Sequence, residues 1–141
     1  MLACTIHAKE DLRIETAEIP VVGPGEVLVR LGAGGICGSD LHYYFEGRNG
    51  SFVIREPLIP GHEASGVVAL VGSGVARVKE GDKIAGAFRW GIEFDWAVDY
   101  LSTRRVDVRP LISGVFPLRD AVKAFELAKD KTQSTKVQVV A

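Results

Sequence analysis

The chain has 141 residues, of which 47% are hydrophobic and 25% charged, the ordinary balance of a globular domain rather than of a disordered chain. Lysine and arginine number 17 against 18 aspartates and glutamates, and no long basic run occurs. This balance argues against nucleic acid and against an anionic membrane surface as partners, so we expect a small-molecule ligand.

No apolar run approaches the length of a transmembrane helix, and the N-terminus lacks the basic and apolar regions of a signal peptide. The chain has two cysteines, one of which is a candidate metal ligand as a thiolate. Because reducing compartments keep thiols free, we expect a cytoplasmic location without membrane association.

Strands are predicted through the first part of the chain. Residues 1–8 and 12–19 are short segments rich in apolar or β-branched residues, separated by a polar stretch, and they predict a hairpin. A turn signal at residues 23–25 precedes an alternating segment, 26–31, that predicts a further strand. The glycine cluster at 32–35 fits close backbone approach around a metal better than a phosphate-binding loop.

A short helix, a loop and a strand are predicted next. Ser39 or Asp40 is placed to cap a helix that runs to Phe45. Residues 46–57 are polar with several glycines, which predicts a mobile loop over a cleft. Residues 64–71 predict the strongest strand of the chain.

Gly72 and Gly74 follow this strand and invite comparison with a dinucleotide-binding turn. The third glycine of that fingerprint falls at Arg77, and no strand-helix-strand unit follows at once. We therefore predict an ordinary turn here, followed by a short strand over residues 81–85.

The densest group of reactive side chains lies in two segments, Gly-Ile-Cys-Gly-Ser-Asp-Leu-His-Tyr-Tyr (35–44) and Pro-Gly-His-Glu (60–63). Cys37, His62 and Glu63 offer a thiolate, an imidazole and a carboxylate, which zinc accepts, and three protein ligands leave one position open in a catalytic site. The residues alone leave another interpretation open, a packed thiol beside a surface His-Glu pair. Their spacing matches no closed structural zinc pattern.

The two segments, with the continuation Ala-Ser-Gly-Val-Val, resemble the zinc-dependent medium-chain dehydrogenases over most of residues 1–86, in particular the sorbitol and L-idonate 5-dehydrogenase branch. The resemblance implies that the three candidate ligands hold one catalytic zinc. It also implies that Ser39 and His42 form a proton relay and that Tyr43 lies beside the substrate.

The resemblance is interrupted after residue 86. The family continues there with a four-cysteine structural zinc lobe and a dinucleotide-binding domain, for which too few residues follow. Residues 87–141 instead resemble the family's C-terminal segment, where Arg89 takes the position of an arginine that can touch a polyol substrate. NAD or NADP would accordingly bind only in a full-length parent, and we predict no cofactor-binding residue in this chain.

Two helices and a strand are predicted in the C-terminal segment. Residues 92–103 carry a broad apolar face and predict a helix. Pro117 suits the first position of a second helix that ends at residue 128. Residues 135–140 alternate and predict a last strand that closes the sheet.

These elements predict a mainly β, α+β fold with two or three helices, a partly open β-barrel of the chaperonin-10-like (GroES-like) type. We expect a single domain over residues 1–141, in which an N-terminal part (1–86) is joined to a C-terminal return segment (87–141). No Rossmann domain is expected.

The resemblance implies the zinc- and substrate-binding catalytic domain of an alcohol or polyol dehydrogenase of the L-idonate or sorbitol type. Because hydride transfer needs an oriented nicotinamide, we expect this chain to be inactive alone. The alternative is a catalytically silent, truncated or engineered barrel module that acts as a folding or oligomerisation unit. The surface exposed by the missing domain, with residues 88–100 as its main part, is expected to be apolar and to favour a homodimer.

Overall fold

The computed structural model describes residues 1–88 and 91–141. Within these residues the strands are β1 (Leu2–Ala8), β2 (Asp11–Thr16), β3 (Val27–Gly35), β4 (Arg48–Asn49), β5 (Phe52–Val53), β6 (Glu63–Val71), β7 (Lys83–Ala87), β8 (Ile112–Pro117) and β9 (Lys136–Val140). The α-helices are α1 (Gly38–Glu46), α2 (Ile92–Ser102) and α3 (Ala121–Lys129). None of these helices has the length and apolar composition that crossing a bilayer requires.

The central sheet has five strands in the order β7-β6-β3-β9-β8. Strands β7, β6, β3 and β9 are antiparallel neighbours, whereas β9 runs parallel to β8. The last strand of the chain therefore lies between an N-terminal strand and a C-terminal one. Because β7 and β8 are the edges of this sheet in the described part of the chain, the barrel is partly open, as the sequence predicts.

The hairpin predicted at the N-terminus is confirmed, although its second strand ends at Thr16. Strands β1 and β2 pair antiparallel, with Leu2 opposite Thr16, and form a sheet of their own. Ile6 joins this hairpin to the segment between β5 and β6, because its backbone N–H donates to the Leu58 carbonyl at 2.8 Å and its carbonyl accepts from the Leu58 N–H at 2.9 Å.

The core lies between the hairpin, helices α1 and α3, and strand β9. Ile6 is fully buried in it, and the rings of Tyr44 and Phe125 meet edge to face with centroids 5.3 Å apart. Helix α3 faces this core because its buried residues recur at helical spacing, namely Ala121, Ala124, Phe125 and Ala128. Burying each large apolar side chain contributes about 1.5–3 kcal/mol. The core thus holds both ends of the chain together.

Three local predictions are wrong in detail. The helix predicted to begin at Pro117 begins at Ala121, because Pro117 ends β8 with an extended backbone and a short 3-10 turn follows. The N-cap of α1 is Cys37 rather than Ser39 or Asp40. The loop predicted for residues 46–57 contains the small hairpin β4–β5.

Helix α2 confirms the helix predicted near residues 92–103, but it buries none of its residues. Most of its large apolar side chains are exposed, with Trp96 at 59% and Ile92 at 64% of their full accessible surface, while Phe94 is half-buried. A helix gains most of its stability by packing an apolar face. This face is therefore an unpaired surface among the described residues.

Candidate metal centre

Strand β3 and the turn after it position Cys37. Gly34 and Gly35 pair with Val139 and Gln138 of β9, and the Ile36 N–H donates to the Val137 carbonyl at 3.1 Å. Cys37 then takes an extended backbone (φ −95°, ψ 163°) as the N-cap of α1. The thiol is thus held where the sheet ends and the helix begins.

His62 and Glu63 stand at the start of β6, the neighbour of β3. Gly61 has φ 115°, which favours glycine and turns the chain into the strand. The pairing of Gly34 with Ala64 then brings the two strand ends together. As a result, one ligand atom from each of Cys37, His62 and Glu63 lies within 4.8 Å of the others.

Asp40 is a buried carboxyl group behind this cluster, with 4% of its surface exposed. Its Oδ2 accepts a hydrogen bond from the Cys37 N–H at 2.9 Å, and its Oδ1 lies 3.8 Å from Nδ1 of His62. Burial raises the pKa of Asp40, while the Cys37 N–H and His62 act in the opposite direction. Asp40 therefore faces both ligand-bearing segments.

Lys136 reaches the cluster from the first position of β9. Its Nζ donates to Oε2 of Glu63 and, at 3.1 Å, to the carbonyl oxygen of Ile36. The sequence carries no local signal for this residue, because its contact joins positions 73 residues apart and depends on strand register. Asp40 had a detectable signal, since a carboxylate three residues after an N-cap often accepts its N–H.

Phe88 borders the cluster on another side. Its ring centroid lies 6.5 Å from that of His62, with the two planes 78° apart. The Phe88 side chain remains 63% exposed. The cluster therefore has an apolar neighbour that is accessible from solvent.

The other predicted site residues lie on or beyond α1. Ser39 is half-buried in the first turn, and His42 is exposed, with its Nδ1 2.7 Å from Oε1 of Glu46. Tyr43 is half-buried and packs against the core. The predicted substrate contact Arg89 lies outside the described residues.

The chemistry of the cluster fits zinc. A thiolate, an imidazole and a carboxylate are all zinc ligands, and three protein ligands are typical of catalytic rather than structural sites. Each of the three residues is half-buried, so the cluster is shielded and still accessible to a small ligand.

Comparison with known proteins assigns the chain to a family. The alcohol dehydrogenase GroES-like domain family matches residues 23–96, just over half of the chain. Sorbitol dehydrogenase of Gallus gallus is 52% identical over 84 residues, which cover 60% of this chain and 24% of that protein. The chain thus spans about a quarter of the length of the curated relatives it matches.

Solved structures agree with this placement. L-idonate 5-dehydrogenase from Escherichia coli has a TM-score of 0.87 at 16% identity, over 99% of this chain and 98% of that chain, a likeness of fold alone. Zinc dependent alcohol dehydrogenase 2 from Streptococcus pneumonia has a TM-score of 0.54 at 32% identity, over 62% and 25% of the two chains. The chain therefore belongs to the alcohol dehydrogenase GroES-like domain family, within the zinc-dependent medium-chain dehydrogenases.

Proposed function

We propose that this chain is the zinc- and substrate-binding catalytic domain of an alcohol or polyol dehydrogenase of the sorbitol or L-idonate type. The observation that supports it best is the convergence of Cys37, His62 and Glu63 within 4.8 Å. These residues would hold the zinc ion. When bound, zinc would polarise the substrate hydroxyl and lower its pKa towards neutrality.

In this proposal the first helix carries the proton to solvent. Ser39 and His42 are three residues apart on α1, a spacing that puts side chains on neighbouring positions of one helix face. The Ser39 hydroxyl would accept the substrate proton and pass one on to His42. Since Glu46 engages Nδ1 of the exposed His42 side chain, Nε2 would be the atom that takes up this proton and then releases it to water.

Substrate contacts are assigned to two further residues. Tyr43 follows the relay on α1, and its hydroxyl would bind a hydroxyl group of the polyol. Arg89 is proposed as a second donor to the polyol on the family resemblance alone. The exposed ring of Phe88 beside His62 would cover the carbon chain of the substrate.

We expect the isolated chain to transfer no hydride at a useful rate. Strands β8 and β9 are the parallel pair among the described strands, and helix α3 connects them. A short turn, Leu118–Asp120, leads from β8 into this helix. This turn lacks the spaced glycines that hold a dinucleotide pyrophosphate at a helix N-terminus. The nicotinamide would therefore have to be bound by another part of a longer protein or by another chain.

We also propose that residues 1–86 and 87–141 form one domain. The two parts contribute neighbouring strands to the same sheet, with β9 beside β3.

We further propose that the chain works in a reducing, cytoplasmic setting. Both cysteines are free thiols in the structure. A thiolate ligand at position 37 would persist best where disulfides do not form.

Helix α2 is proposed to pair with the α2 of a second copy. Its first turn is acidic, with Glu93 and Asp95, and Arg104 and Arg105 follow its C-terminal end. Antiparallel pairing of two such helices would place each acidic turn opposite the arginines of the other copy and would cover both apolar faces.

The experiment that tests the zinc proposal is elemental mass spectrometry on gel-filtered protein, with Cys37→Ser and Cys4→Ser as matched variants. We expect about one zinc per chain in the unsubstituted protein and in Cys4→Ser, with loss in Cys37→Ser, because a thiolate ligand is removed in that variant alone. No zinc in any of the three, or equal loss in both variants, would refute the site.

Hydride transfer is tested separately on zinc-loaded protein. With sorbitol or L-idonate and NAD or NADP, we expect no formation of reduced cofactor above the background without protein. Turnover at rates typical of complete dehydrogenases would contradict the proposal that the nicotinamide site lies elsewhere.

A further inference from the structure

Lys136 connects the C-terminal strand with the metal cluster. Its ammonium group donates to Oε2 of Glu63 and to the Ile36 carbonyl, which precedes Cys37 in the chain. The Lys136 and Glu63 side chains are about one-third exposed, at 34% and 30%. One lysine thus contacts both segments that carry the thiol and the carboxylate.

The backbone beneath this pair leaves room for it. A side chain at Gly35 would collide with Oε2 of Glu63 and would come within 3.0 Å of Cε of Lys136. The Ile36 N–H also donates to the Val137 carbonyl, next to Lys136 in β9. The pair is therefore fitted to the end of the sheet and is not an arrangement of two freely moving side chains.

We propose that Lys136 is a positioning residue of the metal centre, which holds the Glu63 carboxylate and the Cys37 segment in the arrangement that zinc requires. This inference rests on the proposed zinc site. It also gives the C-terminal return segment a part in that site through Lys136, although none of the three ligands comes from this segment.

Two effects of Lys136 oppose each other. Its positive charge repels a zinc ion, which weakens binding. Its hydrogen bonds orient a ligand carboxylate, and removing such an outer partner typically weakens metal binding about 10–100-fold. We expect orientation to dominate, because the ammonium group is bound to the carboxylate and so neutralised by it, while its removal would leave Oε2 of Glu63 without this hydrogen bond.

The test compares Lys136→Met with Lys136→Arg and with the control Lys131→Met. Lys131 belongs to the same segment and donates to a backbone carbonyl, that of Ala128, at 2.8 Å. Zinc affinity is measured by competition with a chromogenic chelator. The absorption spectrum of the Co²⁺-loaded protein reports the ligand set without any enzyme activity. Thermal unfolding of the metal-free proteins shows that each variant is folded.

We expect Lys136→Met to bind zinc about tenfold or more weakly and to change the Co²⁺ spectrum. Lys136→Arg, which keeps a charged donor for the Glu63 carboxylate, should retain most of the affinity, and Lys131→Met should match the unsubstituted protein. Unchanged or tighter zinc binding by folded Lys136→Met, with an unchanged Co²⁺ spectrum, would overturn the inference and leave the zinc site standing. No metal binding by the unsubstituted chain would overturn both proposals.

Discussion

Asp40 faces His62 across 3.8 Å, from Oδ1 to Nδ1, while its other carboxylate oxygen accepts the Cys37 N–H at 2.9 Å. The separation from His62 is too long for a hydrogen bond, so the firm contact of Asp40 is the one with the backbone. One buried carboxyl group therefore fixes the turn that carries the thiol and also sets the electrostatic surroundings of the imidazole.

Replacing Asp40 should separate its hydrogen bond from its charge. Asp40→Ala leaves the half-buried Cys37 N–H without a partner, and we expect it to lower the free energy of unfolding by about 1–3 kcal/mol. Asp40→Asn keeps an acceptor oxygen and removes a buried charge, so its cost should be smaller. Urea unfolding at neutral pH measures both, with exposed Glu80→Ala as the control. Equal losses in the Ala and Asn variants would show that the charge matters more than the bond.

Much of the fold follows from local patterns in the sequence. Strand β6 and the return strand β9 are recognisable from alternation and β-branched residues, and the hairpin from its two short segments. The sequence predicts a helix start at Pro117, which is wrong, because its fixed φ, here −65°, suits a strand end as well as a helix start. The choice between the two depends on the pairing of β8 with β9, which is not a local property.

The candidate site was less completely predictable. Cys37, His62 and Glu63 are adjacent to recognisable motifs, and their residue types suggest zinc. The role of Lys136 depends on a three-strand register that pairs β9 with both β3 and β8. The exposure of α2 likewise depends on tertiary packing, since its apolar pattern alone would suit a buried helix.

The two cysteines should differ in their reaction with iodoacetamide. Burial, and to a smaller extent the charge of Asp40, raises the pKa of Cys4 to about 11. At pH 8 only about one Cys4 thiol in a thousand would be a thiolate, which is the reactive form. We expect Cys37 to be labelled first and to be protected by zinc, with Cys4 labelled slowly in both conditions. Peptide mass spectrometry measures the labelling rate of each cysteine. In a chain unfolded in guanidinium, the two cysteines should be labelled at similar rates. Faster labelling of Cys4 would contradict its burial.

Trp96 should be the main anchor of an α2 dimer. It is 59% exposed on a helix that buries no residue, and aromatic side chains dominate the binding energy of protein interfaces. We expect Trp96→Glu to raise the dimer dissociation constant about tenfold or more in sedimentation velocity, a cost of at least about 1.4 kcal/mol. Phe52→Glu, on the separate hairpin β4–β5 and 73% exposed, is the control.

Charge exchange tests the antiparallel geometry of that dimer. Asp95→Arg should weaken association by placing like charges opposite each other, and Asp95→Arg combined with Arg104→Glu should restore much of it. The measurement is again sedimentation velocity, at low ionic strength, where exposed charges are least screened. A strictly monomeric unsubstituted protein at high concentration, or a double variant no better than Asp95→Arg, would rule out this pairing.

Asp130 should make the stability of the protein depend on pH in the acid range. Its carboxylate accepts hydrogen bonds from the Thr132 hydroxyl at 2.6 Å and the Thr132 N–H at 3.0 Å in the turn after α3. These bonds hold the pKa of Asp130 below its usual value, and the bond from the Thr132 hydroxyl has the larger effect. A carboxyl group with a lowered folded-state pKa stabilises the fold above its unfolded pKa of about 4, and it loses that contribution as pH falls through the folded value. We expect Asp130→Asn to lower the urea midpoint at pH 7 and at pH 5, with the difference shrinking at pH 3.

Glu80→Gln serves as the control for loss of one exposed charge. A difference that stayed constant down to pH 3 would show that the ionised form of Asp130 does not contribute.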